Sequence, residues 1–232
     1  MKIGVVVFPG SNCDADTLFA FGQLTGQRPR MIWHKDTEVG NVDLVVLPGG
    51  FSYGDYLRSG AIARFSPVMD AVVRHVNRGG LLLGICNGFQ ILTEARLVPG
   101  VLRHNTSRRF VCRAIHIIPA TSRTRLTQNL DPSRPLLIPI AHGEGNYYID
   151  EEGHRALLDG DQVLFRYCGP EGELDNDWNP NGSLDHIAGV CNKERTVFGM
   201  MPHPERASDS LLGMTDGNQI LASLLGLSPV GA

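Results

Sequence analysis

One cysteine of the chain stands in a setting typical of a nucleophile. The segment 84–88 reads GICNG, a G-x-C-x-G spacing between a run of leucines and an amphipathic stretch. Such spacing predicts a sharp strand-to-helix turn, whose strained backbone needs small neighbours on both sides of the nucleophile. The helix N-terminus and any nearby imidazolium both favour the thiolate. A lone cysteine is more often a small core residue, but the two glycines favour a nucleophilic Cys86.

A thiolate nucleophile needs a base, and the base needs a group that orients it. The segment 201–206, MPHPER, follows the strand-like run VFGM and offers both. His203 is stiffened by a proline on either side, and Glu205 is near enough in the chain to hold one ring nitrogen. Taken alone, H-x-E is more typical of a metal-binding pair or a solvated turn than of a catalytic base. Together with Cys86, it favours a catalytic triad.

Acyl transfer also requires N–H donors for the oxyanion that develops on the substrate. The amide that follows the nucleophile, from Asn87, is one candidate. A second lies in the loop 48–51, PGGF, because a glycine at a strand end can turn its N–H toward the site. A simple turn is the alternative for this loop.

The elements that must position these groups are visible as short apolar runs alternating with helical patterns. The clearest helix has Ser66 before its first turn, Pro67 at its first position and Gly79-Gly80 at its end. Alternation of this kind predicts β-α-β units and a parallel sheet covered on both faces. The predicted strands are 2–8, 30–34, 43–47 and 81–85, and the predicted helices are 14–24, 66–78 and 87–95.

The second half of the chain has a different pattern, with strand-like stretches separated by Gly, Pro and Asn turns. These stretches either extend the sheet or form an antiparallel flap, and a final helix is predicted from about Asp216. With no repeat, low-complexity segment or linker in view, we predict one domain over residues 1–232. The stretches are 109–118, 136–140, 162–168, 186–191 and 196–201.

The combination of motifs resembles the class I glutamine amidotransferases. A strand ending in Gly-Gly comes first, then G-x-C-x-G-x-Q at 84–90, then H-P-E at 203–205. Further segments resemble one branch of that family, the glutaminase subunits of phosphoribosylformylglycinamidine synthase in purine biosynthesis. The elbow reads Asn-Gly-Phe-Gln, where many other members have Leu-Gly-His-Gln, and this departure is familiar in the same branch. The segments are FPGSNCD (8–14), GGFSYGDYLRSGAIA (49–63), PIAHGEGNYY (139–148) and NPNGS (179–183).

The resemblance implies a fold and a set of site residues. The fold is α/β and flavodoxin-like, a mostly parallel sheet with helices on both faces plus a small antiparallel strand region. The catalytic residues are the nucleophile, its base and the orienting carboxylate; the others bind the oxyanion or the glutamine substrate. In that order, they are Cys86, His203 and Glu205, then Gly50, Asn87, Gln90 and Phe110.

The resemblance also implies a division of labour between subunits. This chain is expected to hydrolyse glutamine to glutamate and ammonia without a metal or other cofactor of its own. ATP and Mg²⁺ are expected on a PurL-like synthetase subunit, which receives the ammonia, and a small PurS-like subunit is expected to complete the assembly. Isolated, the chain is expected to be a weak glutaminase that docking activates.

Composition limits the other classes of function. At 232 residues, with a net charge of −3 and a pI near 6.2, the chain has no basic footprint for nucleic acid. A small arginine cluster around Arg103 to Arg113 fits a solvated face or an acidic partner. No apolar run is long enough to span a bilayer, and five scattered cysteines suggest no disulfide framework. We expect a soluble, cytosolic protein without membrane contact.

Several other residues have no predicted catalytic role. His142 and Glu144 lack a third ligand at a suitable spacing for metal, and Tyr53, Asp55 and Arg58 fit a subunit contact or a capped turn equally well. Two alternative functions stay open. One is an amidotransferase subunit of another pathway, such as pyridoxal phosphate synthesis, and the other is a flavodoxin-like binding module with a vestigial site. Buried packing is predicted for the other cysteines, Cys13, Cys112, Cys168 and Cys191.

Overall fold

The computed structural model of the chain describes residues 1–228. Its main sheet has nine strands, and a two-stranded sheet lies beside it. The strands are β1 Ile3–Val7, β2 Arg30–Trp33, β3 Leu44–Leu47, β4 Leu81–Ile85, β5 Val101–Arg103, β6 Val111–Pro119, β7 Leu136–His142, β8 Asn146–Tyr148, β9 Val163–Cys168, β10 Ile187–Cys191 and β11 Val197–Met200. The α-helices are α1 Asp14–Thr25, α2 Pro67–Asn77, α3 Asn87–Glu94, α4 Glu151–Asp159 and α5 Gly217–Leu225.

Five parallel strands form one half of the main sheet, in the order β2-β1-β3-β4-β11. Strands β1, β3 and β11 are buried along their whole length, which explains why they read as unbroken apolar runs rather than as alternating ones. This is the flavodoxin-like order. The predicted fold class is confirmed, and each of the seven elements predicted in the first hundred residues is present within one to two residues of its expected bounds.

The sheet reverses its direction of growth next to β1. From β1 the chain crosses to β2 on one side through α1, whereas from β3 it crosses to β4 on the other side through α2. Because such crossovers are right-handed, α1 and α2 lie on opposite faces. Ligands of open α/β sheets bind outside the carboxyl ends of strands near such a reversal. The loops that follow β1, β3, β4 and β11 therefore meet at one edge.

The other half of the sheet is antiparallel. Strands β10, β9, β6 and β7 continue outward from β11, each antiparallel to its neighbour. The second-half stretches thus extend the sheet instead of forming a separate flap, and the antiparallel region is larger than the small one expected. The short strands β5 and β8 pair with each other. Within residues 1–228, no helix combines the length and apolar character needed to cross a bilayer.

Some details of the local structure differ from the expectations. Helix α4 was not predicted, although Asp150 caps it by accepting a hydrogen bond from the Gly153 N–H at 2.8 Å. Ser66 precedes α2 as predicted, but its hydroxyl bonds to the Tyr53 hydroxyl at 2.8 Å rather than capping the helix. Cys112 is exposed, so buried packing was wrong for that residue. It lies near the start of β6, before that strand reaches its neighbour β9.

Candidate active site

The turn between β4 and α3 holds Cys86 in a strained conformation. Its φ is 50° and its ψ is −104°, a combination that non-glycine residues rarely adopt and that usually accompanies function. The backbone N–H of Cys86 donates to the Met200 carbonyl at 2.8 Å, which ties the turn to β11. The Sγ atom lies 3.6 Å from the Ala141 carbonyl oxygen, at the end of β7. The sulfur is therefore held at the carboxyl edge of the parallel strands.

The two glycines of the elbow are required for close packing. A Cβ on Gly84 would come within 2.7 Å of the Gly88 carbonyl oxygen. A Cβ on Gly88 would overlap the carbonyl oxygen of Leu47 and come within 2.7 Å of its carbonyl carbon. Both obstacles are backbone atoms, which cannot rotate away as a flexible side chain would. The glycines thus let α3 approach β3 and β4 closely enough to place Cys86.

Substituting Gly88 tests this packing. We expect Gly88→Ala to lower the free energy of unfolding by about 2–4 kcal/mol, because β3 and α3 must separate. Urea unfolding of the isolated chain measures the change. Gly22→Ala in α1 is the matched control, since its Cβ would meet atoms only at 3.8 Å and beyond; it should stabilise the chain by about 0.5–1 kcal/mol. Equal stability of Gly88→Ala and wild type would contradict this account of the packing.

His203 follows β11 and is locked in place. Its N–H donates to the Pro139 carbonyl at 2.9 Å, and the ring is almost completely buried. The ring nitrogen Nδ1 lies 2.6 Å from Oε1 of Glu205, whose side chain is buried as well. Among the described residues, Nε2 of His203 has no hydrogen-bond partner. A carboxylate on Nδ1 and a free Nε2 are what a general base requires.

Opposing effects act on the charge of His203. Burial by itself lowers the pKa of the ring. The negative charge of Glu205 and the nearby sulfurs of Cys86 and Cys13 outweigh burial, so the pKa is raised well above its usual value. An imidazolium close to Cys86 favours the thiolate form of that cysteine. The site can therefore hold a thiolate–imidazolium pair.

Two backbone amides at this edge have no acceptor within the described part of the chain. Gly50 lies at the end of the loop after β3 with a φ of 139°, a conformation that favours glycine. Asn87 is the first residue of α3, where helix N–H groups have no partner in the helix. Neither N–H donates to an acceptor among residues 1–228. Both are thus available for an oxyanion.

The side chains of Asn87 and Gln90 brace the loops around the sulfur. Asn87 Oδ1 accepts from the Ser52 N–H at 3.1 Å, and its Nδ2 donates to Gln90 Oε1 at 2.9 Å. Gln90 Nε2 in turn donates to the Glu144 carbonyl at 2.7 Å. Both ends of the Gln90 amide are thus occupied by protein groups. Its effect on substrate position would therefore run through the loop that contains Glu144.

Phe110 lies at the rim, where it is 53% exposed. Its ring is 6.2 Å from that of Phe51, which follows the candidate oxyanion glycine, and a Cβ on Gly143 would lie 3.8 Å from it. Both rings are exposed, one in the loop after β3 and the other at the residue that precedes β6. The structure thus places all seven predicted site residues around one sheet edge, with Phe110 outermost.

Comparisons with known proteins agree with this geometry. The model of the CobB/CobQ-like glutamine amidotransferase domain matches residues 1–222. The PurQ subunit of phosphoribosylformylglycinamidine synthase from Trichormus variabilis is 53% identical over 225 residues, 97% of each chain. The PurQ subunit from Moorella thermoacetica is 51% identical over 97% of this chain and 95% of its own. The chain belongs to the PurQ branch of the glutamine amidotransferases.

Solved structures extend the comparison to three dimensions. A chain in the structure of PurLQS from Thermotoga maritima has a TM-score of 0.85 and 39% identity, with 97% of each chain covered. A protein from Thermoplasma acidophilum, described as a GMP synthase component, covers 97% of this chain and 93% of its own at 14% identity. Its TM-score of 0.63 shows that it shares the fold. The resemblance to the amidotransferase family inferred from the motifs is therefore confirmed.

In this amidotransferase, the side chains of His142 and Glu144 connect the loop after β7 to other segments of the chain. Burial lowers the pKa of His142 to about 3, with a further contribution from the charge of His203, so the ring is neutral. Its Nε2 bonds to Asn181 Nδ2 at 3.1 Å. Glu144 accepts from the Ser59 N–H at 3.3 Å and lies 3.5 Å from His104. The Tyr53 hydroxyl is also bonded within the chain, to His34 and Ser66.

Sequence reasoning missed two residues beside the predicted triad. Cys13 is buried at the start of α1, and a Cβ on Gly49 would lie 3.1 Å from its sulfur and 3.3 Å from His203 Nδ1. Arg206 Nη2 donates to the same sulfur at 3.1 Å. The available signal was position: Cys13 follows β1, Gly49 follows β3, and neighbouring parallel strands end at one edge. Buried packing alone is therefore an incomplete account of Cys13.

Proposed function

We propose that this chain is the glutaminase subunit of phosphoribosylformylglycinamidine synthase and supplies ammonia from glutamine to a synthetase partner. The observation that carries the proposal is a cysteine in a strained elbow beside a buried histidine–carboxylate pair. Support for the pathway comes from relatives about half identical over nearly the whole chain, which are named as the PurQ subunit of that synthase.

The first half of the reaction forms a thioester. Cys86 thiolate adds to the carbon of the glutamine side-chain amide, and the N–H groups of Gly50 and Asn87 stabilise the oxyanion. His203 gives its proton to the amide nitrogen, the carbon–nitrogen bond breaks, and ammonia leaves. Glu205 keeps the ring oriented and stabilises its positive charge while the proton is held.

The second half releases glutamate. His203, now neutral, takes a proton from water through Nε2, and the resulting hydroxide adds to the thioester carbon. The carbon–sulfur bond breaks, so glutamate departs and Cys86 is regenerated. Only the chain's own residues are needed for these steps. ATP and Mg²⁺ would be bound by the partner, where the ammonia is used.

An exposed apolar segment beside the site suits the docking of that partner. Tyr56 and Leu57 are 86% and 76% exposed, in the same loop as Gly60, whose Cβ position is 2.7 Å from the backbone of α3. A PurL-like synthetase subunit, with a PurS-like subunit, would cover this surface and shield the ammonia from solvent, where it would become ammonium. The complex would work in the cytoplasm, and the isolated chain would be a slow glutaminase.

Labelling with a glutamine analogue that carries an electrophilic diazoketone tests the function. We expect one adduct per chain on the peptide that contains Cys86, faster when the synthetase partner is present. The exposed Cys112 should remain unmodified, and Cys86→Ala should abolish the adduct. A chain that takes no label even in the complex would be a binding module instead. Pull-down of a partner from a different pathway would retain the chemistry and reject the assigned synthase.

A further inference from the structure

One cluster of potential metal ligands shares two of its three residues with the proposed triad. Among residues 1–228, one group of three potential ligands has its ligand atoms all within 4.8 Å of one another: Cys13, His203 and Glu205. All three are buried. Glu205 Oε2 has no hydrogen-bond partner in the described chain. The cluster thus offers a sulfur, a ring nitrogen and a free carboxylate oxygen.

We propose that Cys13, His203 and Glu205 form an inhibitory binding site for a thiophilic divalent cation of the Zn²⁺ class. Sulfur, imidazole and carboxylate are the ligands that Zn²⁺ takes in tetrahedral sites, with water in the fourth position. Mg²⁺ prefers an all-oxygen octahedron and would not occupy the site. The cation is not a cofactor here, since it competes with the chemistry.

The carboxylate of Glu205 lies on the Nδ1 side of the imidazole, and Cys13 Sγ is within 4.8 Å of a nitrogen of the same ring. Cys13 Sγ and His203 Nδ1 lie 3.1 and 3.3 Å from the position that a Cβ on Gly49 would occupy, and His203 Cε1 is closer still at 2.6 Å. Nδ1 is 2.6 Å from Glu205 Oε1. A tetrahedral ion with bonds of about 2.0 Å needs its nitrogen and oxygen ligands roughly 3.3 Å apart. Accommodation therefore requires the pair to open by less than an ångström while the ion replaces the shared proton.

Binding there would silence the base without touching Cys86. In the working enzyme Glu205 accepts a hydrogen bond from Nδ1, so Nε2 is the nitrogen that accepts protons. A cation on Nδ1 of the neutral ring forces the remaining N–H onto Nε2. Nε2 then cannot take a proton from the thiol or from water. This inhibition rests on the proposed function, whereas cation binding itself does not.

Arg206 places a positive charge next to the proposed cation site, so substituting it provides a second test of the site. Its Nη2 donates to Cys13 Sγ at 3.1 Å, and its Nε donates to Asp16 Oδ2 at the same distance. Asp16 can retain the guanidinium when the ion takes the sulfur. The positive charge next to the ion still weakens binding. Removing that charge should therefore tighten the site, a direction opposite to that of losing the ligand.

Titration of the reduced chain with Co²⁺ tests the proposal. We expect one ion per chain with tetrahedral visible bands and a thiolate-to-cobalt charge-transfer band, displaced by Zn²⁺ and unaffected by Mg²⁺. Cys13→Ser should abolish the charge-transfer band and weaken binding by about 100-fold. Cys86→Ser and the buried control Cys168→Ser should retain the band. Arg206→Gln should tighten binding on the order of tenfold, a result that stands even if Cys13→Ser fails to fold.

Other outcomes overturn the proposal in distinct ways. A wild-type chain that binds no Co²⁺, or a band that survives Cys13→Ser, rejects the site. Loss of the band in Cys86→Ser alone would assign the ion to the proposed nucleophile instead. With the band present, glutaminase turnover unaffected by Zn²⁺ would reject the block of Nε2. Absence of turnover in the complex, before any metal is added, would reject the proposed function and leave the site intact.

Discussion

Cys86→Ala should abolish glutamine-dependent ligation by the reconstituted complex while ammonium-dependent ligation survives. The thioester needs the sulfur, so the glutamine-driven rate is expected to fall by at least about 10⁴-fold. The synthetase site does not use the sulfur, so ammonium salt supplied directly should support the wild-type rate. Parallel assays of the product formed with glutamine and with ammonium salt measure both effects.

Cys191→Ala is the matched control for this experiment. Cys191 is also buried, and desolvation raises the pKa of its thiol to about 11, so it is held neutral and unreactive. The control should leave both ligation rates within about twofold of wild type. If Cys86→Ala loses both rates together, the substitution has disturbed subunit assembly, and the test no longer supports a nucleophile at this position.

The parallel half of the fold was predictable because its signals are local. Strands β1, β3 and β4 are short apolar runs, and α2 is marked by Ser66, Pro67 and the glycines after it. The elbow was also predictable from local sequence, since the G-x-C-x-G spacing predicts a strained turn and Cys86 has a positive φ of 50°. Each of these features depends on residues only a few positions apart.

The antiparallel half was predicted as strands but not as a topology. Strand β6 lies between β7 and β9, and β10 lies between β9 and β11. Pairings of this kind depend on which surfaces remain uncovered after the rest has folded, and no local pattern encodes them. Strands β5 and β8 have three residues each, too few to show a period. Helix α4 buries only Leu157, so its apolar stripe is too narrow to recognise.

The proposed site likewise combines residues that local motifs identify with a residue that only the topology brings close. Cys86, His203 and Glu205 stand in recognisable motifs, and the family resemblance adds Gly50, Asn87, Gln90 and Phe110. Cys13 was invisible as a neighbour of His203 because 190 positions of chain separate them. Their proximity follows from the order of β1, β3, β4 and β11 in the sheet. Any residue that follows one of these strands is a candidate for the same edge.

Glu205→Gln should lower the turnover number for glutamine by about 10³–10⁴-fold without unfolding the chain. The amide has nearly the shape of the carboxylate but carries no charge and can donate a hydrogen bond to Nδ1. The ring can then adopt the tautomer with its proton on Nε2, which disables the base. Steady-state kinetics in the complex measure the loss, and circular dichroism verifies the fold.

The same substitution should slow the alkylation of Cys86 at neutral pH. In the wild type the charge of Glu205 helps to offset burial and raise the pKa of His203, so imidazolium persists at neutral pH and stabilises the thiolate. Without that charge, burial lowers the pKa of His203 and the thiolate loses its counter-ion. Labelling of Cys86 at pH 7 should therefore be slower than in the wild type.

Glu94→Gln is the matched control for Glu205→Gln, because it removes a largely buried carboxylate elsewhere in the chain. Glu94 is largely buried and pairs with Arg58 at 2.7 Å, at the end of α3 away from the elbow. Its substitution should leave the turnover number within about twofold and the alkylation rate at pH 7 unchanged. A tenfold or smaller loss in Glu205→Gln, or an unchanged alkylation rate at pH 7, would mean that the buried contact at 2.6 Å orients the ring by packing alone. The charge of Glu205 would then have no part in the reaction.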